Sequence, residues 1–239
     1  ARLASSRLPG KVLRDIVGKP MLIHVVEAAR KSHARKIWVA TDSKTIAIIC
    51  KQFDVPYIMT SPTHQSGTDR LAQAAKILNL PDETIVINLQ GDEPAINPTL
   101  LDDLASALAN TTAAAATVAH PITQQEDLHN PNVVKTVLNA KNEALYFSRS
   151  LIPYMRTKGI QLPVLRHIGM YAYRAHLLKR YTQLQISPLE QSEMLEQLRL
   201  LWHGITVHVL ISTNSPSIGV DTEEDLQCII EFFKSKESA

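Results

Sequence analysis

Apolar residues recur at helical spacing in Leu22, Val25, Val26 and Ala29, and again in Ile46, Ile49, Cys50 and Phe53 behind Ser43, a potential N-cap. Leu71, Ala74, Ala75 and Leu78 repeat the spacing. So do Leu101, Leu104, Ala105 and Leu108 behind Asn97-Pro98, a cap followed by proline at the first helical position. Each set predicts a helix with one buried stripe. Between them, Ile37-Trp38-Val39-Ala40, Tyr57-Ile58-Met59 and Ile85-Val86-Ile87-Asn88-Leu89 have the length of strands buried on both faces. Strand and helix alternate, which predicts an α/β fold with a mostly parallel central sheet and helices on both faces.

The pattern changes after Pro121. Val133 to Leu138 and Ala144 to Phe147 flank Asn139-Ala140-Lys141-Asn142 and read as a hairpin. Leu165 to Tyr173 and Ile205 to Ile211 read as further strands. Ser187-Pro188-Leu189-Glu190 is a capping box with proline at the first helical position, and Leu195, Leu198 and Trp202 continue its stripe as one helix. A second capping box, Thr222 to Asp225, starts a helix that buries Leu226, Ile229, Ile230 and Phe233.

With 239 residues, 45% of them hydrophobic, the chain can bury a full core and reads as a single domain, 1–239, with an inserted region at about 121–185. Positive and negative side chains are well mixed around a net charge of +2, so no basic stripe suggests a nucleic-acid partner. No apolar run approaches a membrane span and no signal segment opens the chain, so a cytoplasmic protein without membrane insertion is expected. Cys50 and Cys228 lie in separate helical patterns, as expected of buried, reduced thiols.

Candidate chemistry gathers at predicted loops. Arg2 to Lys11 carries cations, hydroxyls and a glycine, a composition able to cradle a polyphosphate or to form a solvated basic terminus. It is not a P-loop, because no Ser or Thr follows Lys11. Gln90-Gly91-Asp92-Glu93-Pro94 follows a predicted strand, at the ligand edge of such a sheet, and Gly91 would let the chain turn and bring Asp92 forward as a cation ligand. An ordinary strand-to-helix turn uses the same residues. Asp221 offers a partner carboxylate, or serves as an N-terminal accessory to the next helix. Arg70, opening a helix, could face an anion or sit as a solvated surface cation. His167 and Tyr171, four apart on a strand, share a sheet face and suit hydroxyl recognition, although a satisfied structural histidine is also consistent. Arg149 is a carboxylate clamp or a surface arginine.

Taken in order, Ser6-Arg7-Leu8-Pro9-Gly10-Lys11, Gly18-Lys19-Pro20-Met21, Val39-Ala40-Thr41-Asp42, His64-Gln65-Ser66-Gly67-Thr68-Asp69-Arg70, Gln90-Gly91-Asp92-Glu93-Pro94, Leu145-Tyr146-Phe147-Ser148-Arg149, Arg166-His167-Ile168-Gly169, Met194-Leu195-Glu196-Gln197-Leu198-Arg199 and Gly219-Val220-Asp221-Thr222 closely resemble the 3-deoxy-manno-octulosonate (Kdo) cytidylyltransferases, over essentially the whole chain. The resemblance implies a Rossmann-like nucleotide-diphospho-sugar transferase fold, and CMP transfer from CTP to Kdo for lipopolysaccharide biosynthesis. It also implies Mg²⁺ dependence and a homodimer built partly from the inserted region.

Carried over by position, Asp92 and Asp221 hold Mg²⁺ and, with Lys11, form the catalytic set. Arg2, Ser5, Lys11, Arg70 and Gln90 bind the nucleotide, while Arg149, His167, Tyr171, Glu196 and Gln197 bind the sugar acid. The family places an apolar strand just before the phosphate loop, whereas this sequence begins inside that loop. An empty central sheet position and a displaced Arg2 are therefore expected. The stretch from Arg156 to Leu165 is also shorter than in many members, which bears on how the sugar pocket is lidded. A sialic acid cytidylyltransferase and a silent nucleotide-binding protein of the same fold are the rival readings.

Overall fold

The structure is a computed structural model describing residues 1–3, 8–64, 66–157, 162–213 and 219–237. The elements run Lys11–Leu13 (a 3₁₀ turn), β1 Asp15–Ile16, β2 Lys19–Pro20, α1 Met21–Ala29, β3 Val39–Thr41, α2 Lys44–Gln52, β4 Tyr57–Met59, α3 Gly67–Ile77, β5 Ile85–Asn88 and α4 Pro98–Ala109. They continue as β6 Ala115–Pro121, a 3₁₀ turn at Gln125–Leu128, β7 Lys135–Leu138, β8 Ala144–Ser148, β9 Leu165–Arg174, α5 Ala175–Tyr181, α6 Pro188–Glu193, α7 Leu198–Trp202, β10 Val207–Ile211 and α8 Glu223–Glu237. The α/β architecture is the expected one. The chain divides into two compact units, the first drawing on the described parts of residues 1–79, 89–102 and 219–237, the second on those of 80–88 and 103–213.

In the first unit, β3 and β4 form a parallel pair with Val39 opposite Tyr57 and Thr41 opposite Met59. The predicted caps are in place: Ser43 Oγ accepts from the Ile46 amide at the start of α2, and Asn97 Oδ1 accepts from the Thr99 amide at the start of α4. Leu22, Val26, Ile46 and Cys50 pack with Val12, Ile23, Val39 and Val55 into one core. A second core joins the two ends of the sequence, packing Leu8, Ile16 and Met21 against Val220, Leu226 and Ile229. Two expectations are corrected. β3 begins at Val39, so Trp38 falls outside it and is 41% exposed, and Met59 is 43% exposed, so this pair is not buried on both faces. Cys228 is a free thiol as expected but exposed, because its position on α8 lies off the stripe formed by Leu226 and Ile229.

The second unit is a six-stranded mixed sheet organised by β9. β6 runs antiparallel along most of β9, and β10 lies parallel to β6 with Val207 opposite Ala115. β9 also pairs with β7 at residues 165–166 and with β5 at residues 171–174, and β7 and β8 form the predicted hairpin. β6 was not legible as a strand, since Ala115-Ala116-Thr117-Val118-Ala119 has low β-propensity and no alternation. All five residues are fully buried, and small side chains fit a strand flanked by neighbours on both edges.

The single helix expected from 188 to 202 is two. The capping box on Ser187 and Glu190 is present, but α6 ends at Met194 in the left-handed region, with φ 52° and ψ 48°. The break lets the Glu190 carboxylate receive the Arg199 guanidinium through two hydrogen bonds, of 2.8 and 2.6 Å, while that guanidinium lies 4.8 Å over the Tyr181 ring. On an unbroken helix the nine residues from 190 to 199 would span about 13 Å, beyond side-chain reach. Trp202, placed on the buried stripe by the periodicity, is 54% exposed.

A left-handed backbone disfavours every residue but glycine. Met194→Gly is therefore expected to raise stability by about 0.5–1 kcal/mol, read from the denaturant midpoint at unchanged slope; a loss would mean that the Met194 side chain stabilises the turn.

Candidate functional site

In the first unit, Gly10 at φ 66° and ψ 17° turns the chain into the short helix that carries Lys11, and buried Val12 anchors it. The loop after β5 and the loop before α8 are tied together by a backbone bond from the Val220 amide to the Asp92 carbonyl, 2.9 Å. Their carboxylates converge on one ammonium: Lys11 Nζ lies 2.5 Å from Asp92 Oδ2, 2.8 Å from Asp221 Oδ1 and 3.0 Å from the Val220 carbonyl. Burial opposes the Lys11 charge, but hydrogen bonds and charge from Asp221 and Asp92 prevail and raise its pKa above the ordinary lysine value.

At the start of α8, Asp225 Oδ2 accepts the Asp221 and Thr222 amides and Thr222 Oγ1 accepts the Asp225 amide, so Thr222 and Asp225 form the capping pair while Asp221 Oδ1 faces Lys11. The expected turn is present at Gly91-Asp92, but it does not call on glycine's freedom: φ is outside the left-handed region, and a Cβ would meet Ala1 Cβ and Leu22 Cδ1 at 3.4 Å and Val12 Cγ1 at 3.5 Å, ordinary van der Waals contact.

Among the described residues, no three His, Cys, Asp or Glu side chains form a metal cluster. The cluster instead presents two carboxylates and a carbonyl, all hard oxygens. That set suits a magnesium-like cation, which binds through one or two carboxylates and completes its shell with phosphate and water.

Arg70 is buried rather than solvated. It donates to Asp42 Oδ2 at 2.8 Å and to Thr60 Oγ1 at 2.5 Å, while Ser66 caps the helix beneath it. Asp42 thus matches its charge, leaving Arg70 as a rigid donor group. Arg2 and Gln90 are exposed. Ser5 lies outside the described residues, as do Ser6, Arg7 and Gln65 of the quoted motifs.

In the second unit, the pairing of β6 with β9 jumps from Thr117–Tyr171 to Val118–Ile168, leaving Gly169 and Met170 as two extra residues on β9. An even insertion preserves facing, so His167 and Tyr171 share a side as expected, with ring centroids 5.4 Å apart. Thr117 Oγ1 lies 2.9 Å from His167 Nε2 and 2.7 Å from the Met170 carbonyl. The single hydroxyl proton goes to that carbonyl, so the imidazole donates from Nε2 and keeps Nδ1 as an acceptor. Burial lowers the His167 pKa to about 3 and raises that of Tyr171 well above its ordinary value, with the Tyr173, Tyr181 and Glu196 charges adding to the Tyr171 shift and a Thr117 hydrogen bond opposing it. The Tyr171 hydroxyl is buried without a well-formed hydrogen bond.

Glu196 is exposed and Gln197 half-buried where α7 begins. Arg149 donates from Nε to the Glu193 carbonyl, from one terminal nitrogen to the Pro131 carbonyl and from the other to the Met194 carbonyl, at 2.7, 2.9 and 3.3 Å. Among the described residues no carboxylate pairs with this guanidinium.

Thr117, Glu193 and Lys135 were missed. Thr117 is one hydroxyl in an alanine run, Glu193 reads as a helix-surface acid, and Lys135 reads as a strand-opening surface cation. The left-over signal was Asp42, already present in a quoted motif.

An α/β fold with a lysine-bridged carboxylate pair is consistent with a nucleotidyltransferase, and the comparisons with known proteins give that class. The profile of the family described as "Cytidylyltransferase" matches residues 1–218, and the chain belongs to that family. The 3-deoxy-manno-octulosonate cytidylyltransferase of Neisseria meningitidis serogroup A is 49% identical over 243 residues, covering 98% of this chain and 96% of that protein. Its counterpart from Herminiimonas arsenicoxydans is 48% identical over 241 residues, with the same coverage of 98% and 96%. Among solved structures, CMP:2-keto-3-deoxy-manno-octonic acid synthetase complexed with CTP superposes with a TM-score of 0.91 at 41% identity, covering 99% of this chain and 96% of that one. The 4-diphosphocytidyl-2C-methyl-D-erythritol synthase of Anaerococcus prevotii, at 14% identity and a TM-score of 0.63, shares the fold; the alignment covers 98% of this chain and 95% of that one.

Replacing Lys11 by Met leaves two carboxylates without their counter-ion and is expected to cost about 1–3 kcal/mol. Because the pKa is raised, the deficit relative to wild type is full at neutral pH and closes only as alkali titrates the wild-type ammonium, which denaturant melts across pH will read. His167 behaves oppositely. From its ordinary value of 6.5 down to about 3 the unfolded chain takes a proton that the native ring refuses, so stability falls through that window. His167→Gln should flatten the fall in the same melts; an unchanged profile contradicts the neutral buried ring.

Proposed function

We propose that the chain transfers CMP from CTP to the anomeric hydroxyl of Kdo, forming CMP-Kdo and pyrophosphate, in support of lipopolysaccharide biosynthesis in the cytoplasm. The convergence of Lys11, Asp92 and Asp221 is the observation that carries it, and relatives of nearly equal length bear the corresponding name. No helix among the described residues is long and apolar enough to cross a membrane.

The chemistry is in-line attack of the sugar hydroxyl on the α-phosphorus, accelerated by positioning and charge neutralisation. Lys11, whose three ammonium protons sit on Asp92, Asp221 and the Val220 carbonyl, neutralises triphosphate oxygens by exchanging the two carboxylates for them, and Arg70 and Gln90 offer donors to the nucleotide alongside Arg2 and Ser5. Asp92 and Asp221 would hold Mg²⁺, which when bound screens phosphate charge and lowers the pKa of a hydroxyl in contact with it. In the second unit Arg149 grips the sugar carboxylate. His167 Nδ1 accepts from a sugar hydroxyl, Tyr171 donates to one because burial keeps it protonated, and Glu196 and Gln197 supply further polar contacts. A homodimer is supported by the exposed Leu145, Tyr154, Met155 and Leu162 of the inserted region.

Pyrophosphate release with CTP and Kdo tests the reading, with sialic acid as the competing acceptor. Release should occur with Kdo and stay near background with sialic acid. Asp92→Asn and Asp221→Asn should each lower kcat by roughly 100-fold or more with the circular dichroism spectrum unchanged. Preference for sialic acid, or no release with either, overturns the assignment.

A further inference from the structure

Lys135 is fully buried at the start of β7, yet it forms no ion pair among the described residues. An ammonium has three protons, and Nζ places them on the carbonyls of Asn130, Val133 and Arg149, at 2.9, 2.6 and 2.7 Å. Its donors are thereby spent, so it has none left for a ligand. Burial pushes its pKa down and the Arg149 charge adds to this, while Asp127 and Glu193 oppose it.

The three carbonyls are not scattered. Asn130 and Val133 bracket Pro131, whose own carbonyl receives a terminal nitrogen of Arg149, and the third carbonyl is that of Arg149 itself. Glu193 closes the other side: its carboxylate accepts the Ser148 hydroxyl at 2.6 Å and the Arg149 amide at 2.9 Å, while its carbonyl accepts Arg149 Nε. Of five guanidinium protons, three are fixed on carbonyls. One proton remains on each terminal nitrogen, so two donors are left for a carboxylate. The guanidinium itself donates to carbonyls and, among the described residues, pairs with no carboxylate.

We infer that Lys135 is a positioning residue for the acid-sugar substrate, acting through Arg149: with Glu193 it freezes the guanidinium so that only those two donors are free for an anionic carboxylate. This rests on the reading of Arg149 as the carboxylate clamp. The role would be invisible in a list of substrate contacts, since the Lys135 ammonium donates to backbone carbonyls.

The test is steady-state kinetics on the full chain with KM for Kdo and for CTP measured separately, in Lys135→Met, Glu193→Gln, Arg149→Ala and the double variant Lys135→Met/Arg149→Ala. Lys135→Met should raise KM for Kdo about 10–100-fold, leaving KM for CTP within about twofold. In the Arg149→Ala background the same substitution should add almost nothing, because the group it positions is gone. A general structural defect would instead raise both KM values and add in the double variant, and either result overturns the inference. If Lys135→Met does not fold, Glu193→Gln carries the same comparison in the same two backgrounds. If Arg149→Ala leaves KM for Kdo unchanged while wild type still consumes Kdo, the reading of Arg149 fails. If Arg149→Ala raises it and Lys135→Met does not, only the positioning role fails.

Discussion

Two carboxylates from distant loops are held within hydrogen-bond reach of each other's partner by one ammonium, and the chemistry of the first unit depends on that contact. Without a cation between them, Asp92 and Asp221 would repel by up to about 4 kcal/mol at ~4 Å in a surface-like dielectric. Lys11 removes the repulsion and takes three oxygen acceptors in doing so. The ammonium does not act alone. The Val220–Asp92 backbone bond and the apolar cluster of Leu8, Ile16, Met21, Val220, Leu226 and Ile229 hold the same loops together. Charge and burial therefore support one convergence.

The protein uses arginine in two physically different ways. Arg70 is buried and paired with Asp42, so its charge is matched and its planar donors are fixed in place. The Arg149 guanidinium donates only to carbonyls among the described residues, which fix its orientation without supplying a counter-charge to it. The same logic separates His167 from a general base. Enclosed by Thr117, Phe147 and Tyr171, the imidazole stays neutral and serves as a hydrogen-bonding group whose tautomer is set by Thr117.

Much of this was legible in the sequence wherever the information is local. The helical stripes, the Ser43 and Asn97 caps, both capping boxes and the 139–142 turn depend on neighbours within a few residues. Their predicted positions match the structure, except for the stripe carried past Met194 to Trp202. The pairing of Asp92 with Asp221 was anticipated only from the chemistry that a cation demands and from a family resemblance.

What the sequence determined by itself was the α/β alternation, the places where helices start, and the supply of carboxylates, cations and hydroxyls in loops and on one strand. Tertiary structure decided the rest. It made a strand of Ala115 to Pro121 by placing it between β9 and β10, and it broke a helix at Met194 so that Glu190 could meet Arg199. It also turned Lys135 inward onto three carbonyls. Each of these outcomes depends on the path the folded backbone takes, and hydrophobic periodicity reports which residues are buried but not what they are buried against.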